Sequence, residues 1–546
     1  MDADRLLGQM TLEEKVGQLF LLAFEAANVE AAEALFERYF VGGSYLSNDN
    51  LPNPAAAAEM TARIQSIAAR TRLGVPVLLG ADQEGAWQVM YPGSSPGPGN
   101  MALGATGDPE HARAMYRVIG EECRAVGLQA TFGPCADCNT NPVNAIIGTR
   151  SFGEPPELVA RMTEAAVAGV LEAGAIATLK HYPGHGDTAL DSHRGLPTVE
   201  RSREELMAID LLPFARGVAA GAQLVMTAHI VFPALDPDRP ATLSRVILDD
   251  VLRGELGFEG AVISDSMNMH SMRRNYEPVE AATQAISAGV DILMLAEEHY
   301  DHDEGYLERQ IELIEGIRAA VRDGRISEAR LDEAVGRTLR LKASVAETEP
   351  APESVGVEAH RAVELAAATA AVSLLRGARD LLPLDPEEPP TLVNTTRREA
   401  YGILGDTRGI GPNQTDPAFD LFVEAVRRRA PEARVVPAED VLMGRLPGGR
   451  GQIIAVTENH PLPGVDFDTG VRAGVLKALA SGGERVLVVA LRDPYELGEL
   501  AEATDYLCAF GPRWCSAEAA ARVLFGEAEA IGRSPVSVPG TEILAG

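Results

Sequence analysis

Residues 173–193 read AGAIATLKHYPGHGDTALDSH. The apolar residues 173–179 are typical of a buried strand. Pro183, Gly184 and Gly186 then exclude a helix and predict a loop. Within residues 180–193 the chain places three of its ten histidines and two aspartates, so the titratable side chains are concentrated here. A strand that ends in a loop crowded with titratable groups is a usual place for chemistry.

Acid/base catalysis is the chemistry that this loop favours. Histidine changes charge near neutral pH, and a carboxylate two residues away can orient its ring. A polar loop that caps a sheet is the structural alternative, which we would favour for any single histidine. A metal site is the third alternative, with His181, His185, Asp187 and His193 as ligands. Their spacing lacks the i, i+4 pairing of helical zinc sites, so we expect no metal.

Length and charge restrict the class of protein. A chain of 546 residues is too long for one core and predicts two or three domains. A hydrophobic content of 46% with 23% charged residues is typical of a soluble globular protein. The net charge of −31 argues against nucleic acid or an anionic membrane as a partner, because phosphate binding needs a basic surface.

The cysteines and the N-terminal sequence indicate a reducing, cytoplasmic setting. Five cysteines imply no disulfide framework. Cys135 and Cys138 form a C-x-x-C pair, but without a second pair we expect packed free thiols. The first residues, MDADR, carry acids where a signal peptide needs bases, and no apolar run of about 18 residues follows. We therefore expect a cytoplasmic protein.

Short apolar runs alternate with amphipathic stretches over the first 340 residues or so. This alternation predicts parallel βαβ units, and eight strands fit an N-terminal (β/α)8 barrel of the TIM type. An open doubly wound sheet is less favoured, because residues 24–27, FEAA, lack a glycine-rich phosphate turn after the first strand. The predicted strands are Val16–Phe24, Val41–Leu46, Val75–Asp82, Gln129–Gly133, Ala177–His181, Leu224–His229, Ala261–Asp265 and Asp291–Leu295. The predicted helices include Ala56–Arg70, Glu110–Val126, Pro156–Ala173, Arg203–Ala220 and Ser244–Leu256.

A second, smaller α/β sandwich domain is predicted after a linker. We assign residues 1–343 to the barrel, 344–360 to a proline-rich acidic linker and 361–546 to the second domain. It has few clustered titratable groups, so we expect it to buttress the barrel or cover its mouth. Its predicted elements are a long alanine-rich helix, Val357–Leu375, the strands Thr391–Asn394, Ile453–Thr457, Arg485–Leu491 and Asp505–Phe510, and the helices Asp416–Arg429 and Ala517–Phe525.

The barrel prediction can be tested on the strand ends. Catalytic groups of such barrels lie on the loops at the carboxyl ends of the strands. Five of the eight predicted strands end in charge or histidine, which structure alone does not explain. These ends carry Asp82-Gln83-Glu84-Gly85, the segments 134–139 and 147–153, Lys180-His181, Met226-Thr227-Ala228-His229 and Ser264-Asp265-Ser266-Met267.

Asp265 is the best candidate for a nucleophile. It ends an apolar strand, so its carboxylate would project from the barrel mouth and could attack a carbon electrophile. Glycoside hydrolysis commonly pairs such a carboxylate with a second group that acts as acid and then base. That group would be His193, with Asp191 orienting its ring. A helix N-cap is the structural alternative for Asp265. The hydrogen bonds to sugar hydroxyls could come from Asp82, Arg150, Lys180, His181 and His229.

These motifs resemble glycoside hydrolase family 3, and within it the bacterial β-N-acetylglucosaminidases. The matching pieces run in the family's order from about residue 10 to 340, and the most specific is the loop 180–193, which keeps an aspartate–histidine pair. The resemblance implies a retaining double displacement on a terminal sugar, without metal or organic cofactor. Asp265 then matches the nucleophile, His193 the acid/base and Asp191 its partner. Matching sugar-binding positions are Asp82, Arg150, Lys180, His181 and Met226.

One departure from the family pattern follows Asp82-Gln83-Glu84-Gly85. The family usually continues with Gly, Arg, Val, any residue and Arg, whereas residues 86–90 read AWQVM. The second arginine commonly helps to hold the sugar, and Met90 cannot. Trp87 could offer a stacking face, although a packed core tryptophan is the favoured interpretation.

The sequence therefore predicts an exo-acting β-N-acetylglucosaminidase of GlcNAc-terminated muropeptide or chitin fragments, with a role in cell-wall recycling. The alternatives are a phosphorylase, since a neutral histidine repels phosphate less than a glutamate would, and a β-glycosidase of shifted specificity. A sugar-binding protein without catalysis is less favoured, because binding alone does not need Asp265, Asp191 and His193 together.

Overall fold

A computed structural model gives the structure of the chain. It describes residues 1–85, 93–144, 146–189, 196–296, 305–346, 349–377, 381–401, 416–445, 451–458, 469–483, 485–500 and 505–546.

Eight parallel strands form the first sheet, as predicted. In chain order they are β1 (Phe20–Leu22), β2 (Gly43–Tyr45), β3 (Leu78–Ala81), β4 (Ala130–Thr131), β5 (Ile176–Tyr182), β6 (Leu224–Thr227), β7 (Ala261–Ile263) and β8 (Leu293–Leu295). Their spatial order is β8-β1-β2-β3-β4-β5-β6-β7. A single bridge between Ile263 and Ile292 joins the two outer strands. The sheet is thus a nearly closed α/β barrel, which confirms the predicted fold class.

Helices surround this barrel. Several begin at a capping residue that is followed by a proline. Asn53 caps the helix that starts at Pro54, and Asp108 caps the helix that starts at Pro109. A π-helical segment covers Val246–Glu255. The other helices are Ala3–Gln9, Leu12–Gly17, Val29–Tyr39, Pro54–Arg70, Asn100–Thr106, Pro109–Ala125, Pro156–Glu172, Arg203–Ala208, Leu211–Ala219, His270–Arg273, Pro278–Ala288, Tyr306–Arg322 and Glu328–Ala343.

Three element boundaries predicted from the sequence are wrong. The first strand does not begin at Val16, because the helix that starts after the Thr11 capping box continues to Gly17. The stretch 203–220 is two helices separated near Asp210. The alanine-rich helix ends at Ala371 rather than Leu375, and the chain continues directly into a strand.

The second sheet has six strands and lies in the C-terminal part of the chain. They are β9 (Ser373–Arg376), β10 (Thr391–Asn394), β11 (Arg434–Val436), β12 (Ile453–Thr457), β13 (Val486–Ala490) and β14 (Asp505–Cys508). The order is β9-β14-β13-β12-β10-β11, with β9 antiparallel to β14 and the other neighbours parallel. The two edge strands, β9 and β11, were not predicted from the sequence.

Helices cover both faces of this sheet. Successive strand residues alternate between two apolar clusters; Ile454 and Val456 belong to one, and Ala455 to the other. This period of two is what a strand buried on both faces requires. The helices are Glu358–Ala371, Ala418–Arg427, Ala438–Leu442, Thr469–Ser481 and Trp514–Leu524. We retain the domain boundaries at residues 343 and 360 as a proposal.

Within the described ranges, no helix is both long enough and apolar enough to cross a bilayer.

Asp291 stabilises the place where the barrel closes. Its buried carboxylate accepts a hydrogen bond from the backbone N–H of Val262 on β7 (2.9 Å). It also contacts three guanidinium groups, those of Arg253 (2.9 Å), Arg330 (2.8 Å) and Arg337 (3.4 Å). The carboxylate therefore adds to the backbone hydrogen bonds that join β7 to the start of β8, from Ile292 N to the Val262 carbonyl (3.0 Å) and from Ser264 N to the Ile292 carbonyl (2.9 Å).

We predict that Asp291→Asn lowers the free energy of unfolding by about 3–5 kcal/mol, because it removes the carboxylate that pairs with the Arg253 guanidinium, while Arg330 and Arg337 keep, among the described carboxylates, only Glu333. Urea unfolding followed by circular dichroism measures this. Asp323→Asn is the control, since Asp323 pairs with Arg325 on the surface and such pairs contribute about 0–1 kcal/mol. Equal stability of the two variants would contradict the assigned role of Asp291.

Candidate active site

A buried ion cluster joins the carboxyl ends of β3 and β5 to the segment that follows β4. Glu84 lies at its centre with no exposed side-chain surface. Arg150 donates two hydrogen bonds to Glu84, from Nε to Oε2 and from Nη2 to Oε1, each 2.8 Å long. The Lys180 ammonium lies 2.5 Å from Glu84 Oε1 and 2.5 Å from Asp82 Oδ1. One carboxylate therefore holds two cations in fixed positions.

The cluster remains ionised. Burial raises the pKa of Glu84, but Arg150 and Lys180 outweigh burial and lower it to about 2. Burial likewise lowers the pKa of Arg150 and of Lys180, and their carboxylate neighbours hold both pKa values above the ordinary ones. The site thus presents two permanent cations.

Asp82 is the cluster's carboxylate that remains open to a ligand. Its side chain is 15% exposed, compared with 0% for Glu84. Lys180 fixes one carboxylate oxygen, and the Tyr45 hydroxyl donates to the other (3.0 Å). A carboxylate oriented in this way can accept hydrogen bonds from adjacent hydroxyl groups of a sugar.

Asp137 organises the next part of the site. It lies in the segment after β4 and is fully buried. Its carboxylate accepts hydrogen bonds from the backbone N–H groups of His181 (3.1 Å) and His185 (2.7 Å), and from the Cys135 thiol (3.0 Å). Burial raises the pKa of Asp137, but the two histidines and the thiol hold it well below its ordinary value. This carboxylate therefore fixes the end of β5 and the start of the following loop.

The contacts of His181 define its tautomer. Its Nδ1 lies 2.8 Å from Asp137 Oδ2, and its Nε2 lies 3.2 Å from Arg150 Nη2. A guanidinium nitrogen can only donate, so Nε2 accepts and Nδ1 carries the proton. The imidazole is therefore oriented between Asp137 and Arg150, at the edge of the ion cluster.

His185 is unsuited to act as the acid. Burial, together with the neighbouring His181, lowers the pKa of His185 to about 4, so its ring is neutral at pH 7. Its Nδ1 lies 2.8 Å from the Thr188 hydroxyl. Of the three histidines in the loop, this one has a structural role.

Asp265, the predicted nucleophile, lies two residues after the end of β7 and close enough to His181, His229 and Lys180 to feel their charge. Its neighbours Ser264 and Ser266 are buried, whereas Asp265 itself keeps partial exposure. The Ser266 N–H donates to Asp265 Oδ1 (2.7 Å). Burial raises the pKa of Asp265, but His181, His229, this N–H and Lys180 together bring it below the ordinary value. An accessible and ionised carboxylate suits nucleophilic attack.

His229 supports the turn that carries Asp265. Its Nε2 donates to the Ser266 carbonyl (2.9 Å), and its Nδ1 lies 2.8 Å from the Thr242 hydroxyl. Met226, on β6, is 2% exposed and pairs with Ile263 across the sheet. The structure thus places His229 against the turn of Asp265, and Met226 on the strand next to the one that Asp265 follows.

The predicted acid/base pair, Asp191 and His193, lies outside the described residues. The same holds for the departure at residues 86–90. Of the described residues that precede the pair, Lys180 and His181 belong to the site.

One group of described side chains lies close enough together to bind a metal ion. It consists of Cys135, Asp137 and His181, whose ligand atoms are within 4.8 Å of one another. Hydrogen bonds from the thiol and from His181 Nδ1 to Asp137 already join the three. Of the alternative ligand set considered from the sequence, Asp187 instead pairs with Arg201, and His185 contacts Thr188.

The predicted set of site residues omitted Glu84, Asp137 and Tyr45. Glu84 and Asp137 were visible as acids at strand ends, two residues after Asp82 and in the segment after β4. Their partners lie 66 and 44 residues away in the chain, and no local pattern indicates such pairs.

The family assignment follows from comparison with known proteins. The profile of the glycosyl hydrolase family 3 N-terminal domain matches residues 11–341. The chain belongs to glycoside hydrolase family 3. This membership confirms the resemblance seen in the sequence and makes the chain a glycoside hydrolase.

Three relatives match over nearly the whole of both chains. A β-hexosaminidase A from Pseudoalteromonas piscicida is 29% identical, over 92% of this chain and 90% of its own length. A protein from Cellulomonas fimi named β-N-acetylglucosaminidase/β-glucosidase is 31% identical, over 97% and 94%. A solved family 3 β-N-acetylglucosaminidase from Paenibacillus sp. str. FPU-7 is 33% identical, with a TM-score of 0.84, and the match covers 97% of this chain and all of that one.

We predict that Glu84→Gln removes an acid-sensitive part of the stability. The pKa of Glu84 falls from 4.5 to about 2 on folding, so its contribution is complete above pH 4.5 and is lost as the pH falls towards 2. The difference in unfolding free energy between the wild type and Glu84→Gln should therefore be constant at pH 5–7 and shrink below pH 4.5.

Urea unfolding at a series of pH values measures this difference. Glu172→Gln is the control, because Glu172 pairs with Arg113 on the surface. If the difference in unfolding free energy between wild type and Glu84→Gln is the same at pH 6 and pH 3, Glu84 is not the ionised centre of the cluster.

Proposed function

We propose that this chain is an exo-acting, retaining β-N-acetylglucosaminidase. The relatives from Cellulomonas fimi and Paenibacillus support β-N-acetylglucosaminidase activity, because they match nearly the whole chain at 31% and 33% identity. The observation that carries the mechanism is the ionised, partly exposed Asp265 at the end of β7, beside the ion cluster.

The ion cluster and its neighbours hold the terminal sugar in this proposal. Asp82 accepts hydrogen bonds from adjacent hydroxyl groups, while Arg150, Lys180 and His181 surround the same ring. Glu84 and Asp137 contact these residues and act as positioning residues. Met226 contributes to the wall, and His229 positions the Asp265 turn.

The reaction follows from the roles of three residues. Asp265 attacks the anomeric carbon, and the bond from that carbon to the leaving oxygen breaks. His193, oriented by Asp191, donates a proton to the leaving oxygen. His193 then takes a proton from water, which attacks the glycosyl–Asp265 ester and releases the sugar with its original anomeric configuration. No metal or organic cofactor takes part in these steps.

The biological substrates that we propose are GlcNAc-terminated muropeptides or chitin fragments. The proposed location is the cytoplasm, and the proposed role is cell-wall recycling. The alternatives are phosphorolysis, in which phosphate replaces water, and a sugar preference shifted by residues 86–90. A sugar-binding protein without catalysis is the candidate from another class of function.

We predict that the enzyme releases p-nitrophenol from the N-acetyl-β-D-glucosaminide in strong preference to the β-D-glucoside, and that Asp265→Asn abolishes this release because an amide cannot form the ester. Both substrates are assayed with and without phosphate. Water as acceptor yields free sugar, whereas a phosphate-dependent sugar 1-phosphate would indicate a phosphorylase.

Preference for the glucoside would show that the departure at residues 86–90 controls specificity. Binding of the sugar without any cleavage would identify a binding protein and would refute the proposal.

We predict that the alkaline limb of the pH profile belongs to His193. Loss of its proton removes the acid, so activity on a substrate with a poor leaving group should fall as the pH rises through the pKa of His193. Wild type and His193→Ala are assayed on the same p-nitrophenyl glycoside, and the limb that the wild type shows should be absent from the variant. A variant that keeps the limb unchanged would exclude His193 as the acid.

A further inference from the structure

Arg201 lies where the segment that carries the proposed acid/base pair returns to the barrel wall. Its Nη2 donates to Asp187 Oδ1 (2.9 Å) and to the Thr140 hydroxyl (2.6 Å). Its Nη1 lies 2.6 and 2.7 Å from the two oxygens of Asp210. Asp187 precedes the pair and Arg201 follows it, so this ion pair joins the two ends of residues 188–200.

The start of this segment is held by the loop that follows β4. Asn144 donates to the His185 carbonyl (2.8 Å) and to the Thr188 hydroxyl (3.2 Å). Thr140 donates to Asp187 Oδ1 (2.9 Å), the oxygen that also accepts from Arg201. The segment therefore leaves the sugar-holding residues in a fixed direction up to residue 189.

The end of the segment is held by backbone hydrogen bonds. Val199 N donates to the Val231 carbonyl (3.0 Å), and Val231 N donates to the Pro197 carbonyl (2.9 Å). Ser202 then forms a capping box with Glu205 at the start of the helix Arg203–Ala208. Arg201 is placed between this hydrogen-bonded stem and the cap.

Asp210 holds the guanidinium from the barrel side. It is fully buried, and it lies at the break between the helices Arg203–Ala208 and Leu211–Ala219. The Arg201 side chain is 13% exposed. Buried ion pairs contribute little net stability, but they fix one arrangement over others. Asp210 pairs with Nη1 of Arg201 and leaves Nη2 for other partners. Because Nη2 binds Asp187, which lies on the loop, we infer that Arg201 helps to hold the loop in position.

We propose that Arg201 is a positioning residue for the acid/base step, because its guanidinium joins Asp187 to Asp210 and so fixes both ends of the segment that carries Asp191 and His193. This inference rests on the proposed function. Arg201 is not itself expected to touch the sugar.

Two substrates separate a positioning role from general support of the fold. Phenyl N-acetyl-β-D-glucosaminide needs a proton on its leaving oxygen, whereas the 2,4-dinitrophenyl glycoside does not. General acid catalysis contributes about 10²–10⁴-fold, so Arg201→Gln should lower kcat/KM for the phenyl glycoside by about 100-fold. For the dinitrophenyl glycoside kcat/KM should change little, because Asp265 and the sugar site are intact.

Arg203→Gln is the matched control. It lies two residues further on and pairs with Glu255 on the surface, where both side chains are about 40% exposed (42% and 39%). It should leave both kcat/KM values unchanged. Arg201→Lys keeps a positive charge but loses the two-pronged contact, so it should give a smaller loss, again on the phenyl glycoside alone.

A double variant tests whether the two residues act in one step. His193→Ala with Arg201→Gln should be no slower on the phenyl glycoside than His193→Ala alone. Equal losses on both substrates for Arg201→Gln and Arg201→Lys, or full additivity in the double variant, would overturn this inference. If His193→Ala itself shows no dependence on the leaving group, the assignment of the acid fails instead.

Discussion

The ion pair between Glu84 and the two cations Arg150 and Lys180 is the interaction on which the rest of the site depends. Two like charges cannot remain buried side by side without an anion between them, and Glu84 supplies it. Glu84 follows β3, Lys180 lies near the end of β5 and Arg150 belongs to the segment after β4, so the contact also fixes these three parts of the barrel mouth relative to one another. Lys180 then orients Asp82, and Arg150 orients His181. The proposed sugar-binding surface therefore depends on one buried carboxylate.

A second carboxylate, Asp137, connects this surface to the loop that leads to the proposed acid. It fixes His181 through the ring and the backbone, and it also accepts from the N–H of His185, where the loop towards the proposed acid begins. On the opposite side, His229 and the Ser266 N–H hold the turn of Asp265. The barrel thus brings the proposed sugar-holding residues and the proposed nucleophile, Asp265, together at one mouth.

The sequence was sufficient to predict the barrel because each strand is a short apolar run followed by polar residues, and this pattern is local. The edge strands β9 and β11 were not predicted. β9 directly follows an alanine-rich helix, so its residues were assigned to that helix. Two of the three residues of β11 are exposed, so this strand is not a buried apolar run. Strand-end residues such as Asp82 and Asp265 could be found for the same local reason. The roles of Glu84 and Asp137 could not, because they depend on partners that only the closed barrel brings near.

Covalent trapping of the nucleophile tests the central claim most directly. A 5-fluoro N-acetyl-glucosaminyl fluoride should react with the enzyme and leave a glycosyl ester that hydrolyses slowly, because the second fluorine destabilises the positive charge of the transition state. Proteolysis and mass spectrometry should then locate the added sugar on the peptide that contains Asp265. An adduct on another side chain, or complete inhibition with no added mass, would contradict a double displacement through Asp265.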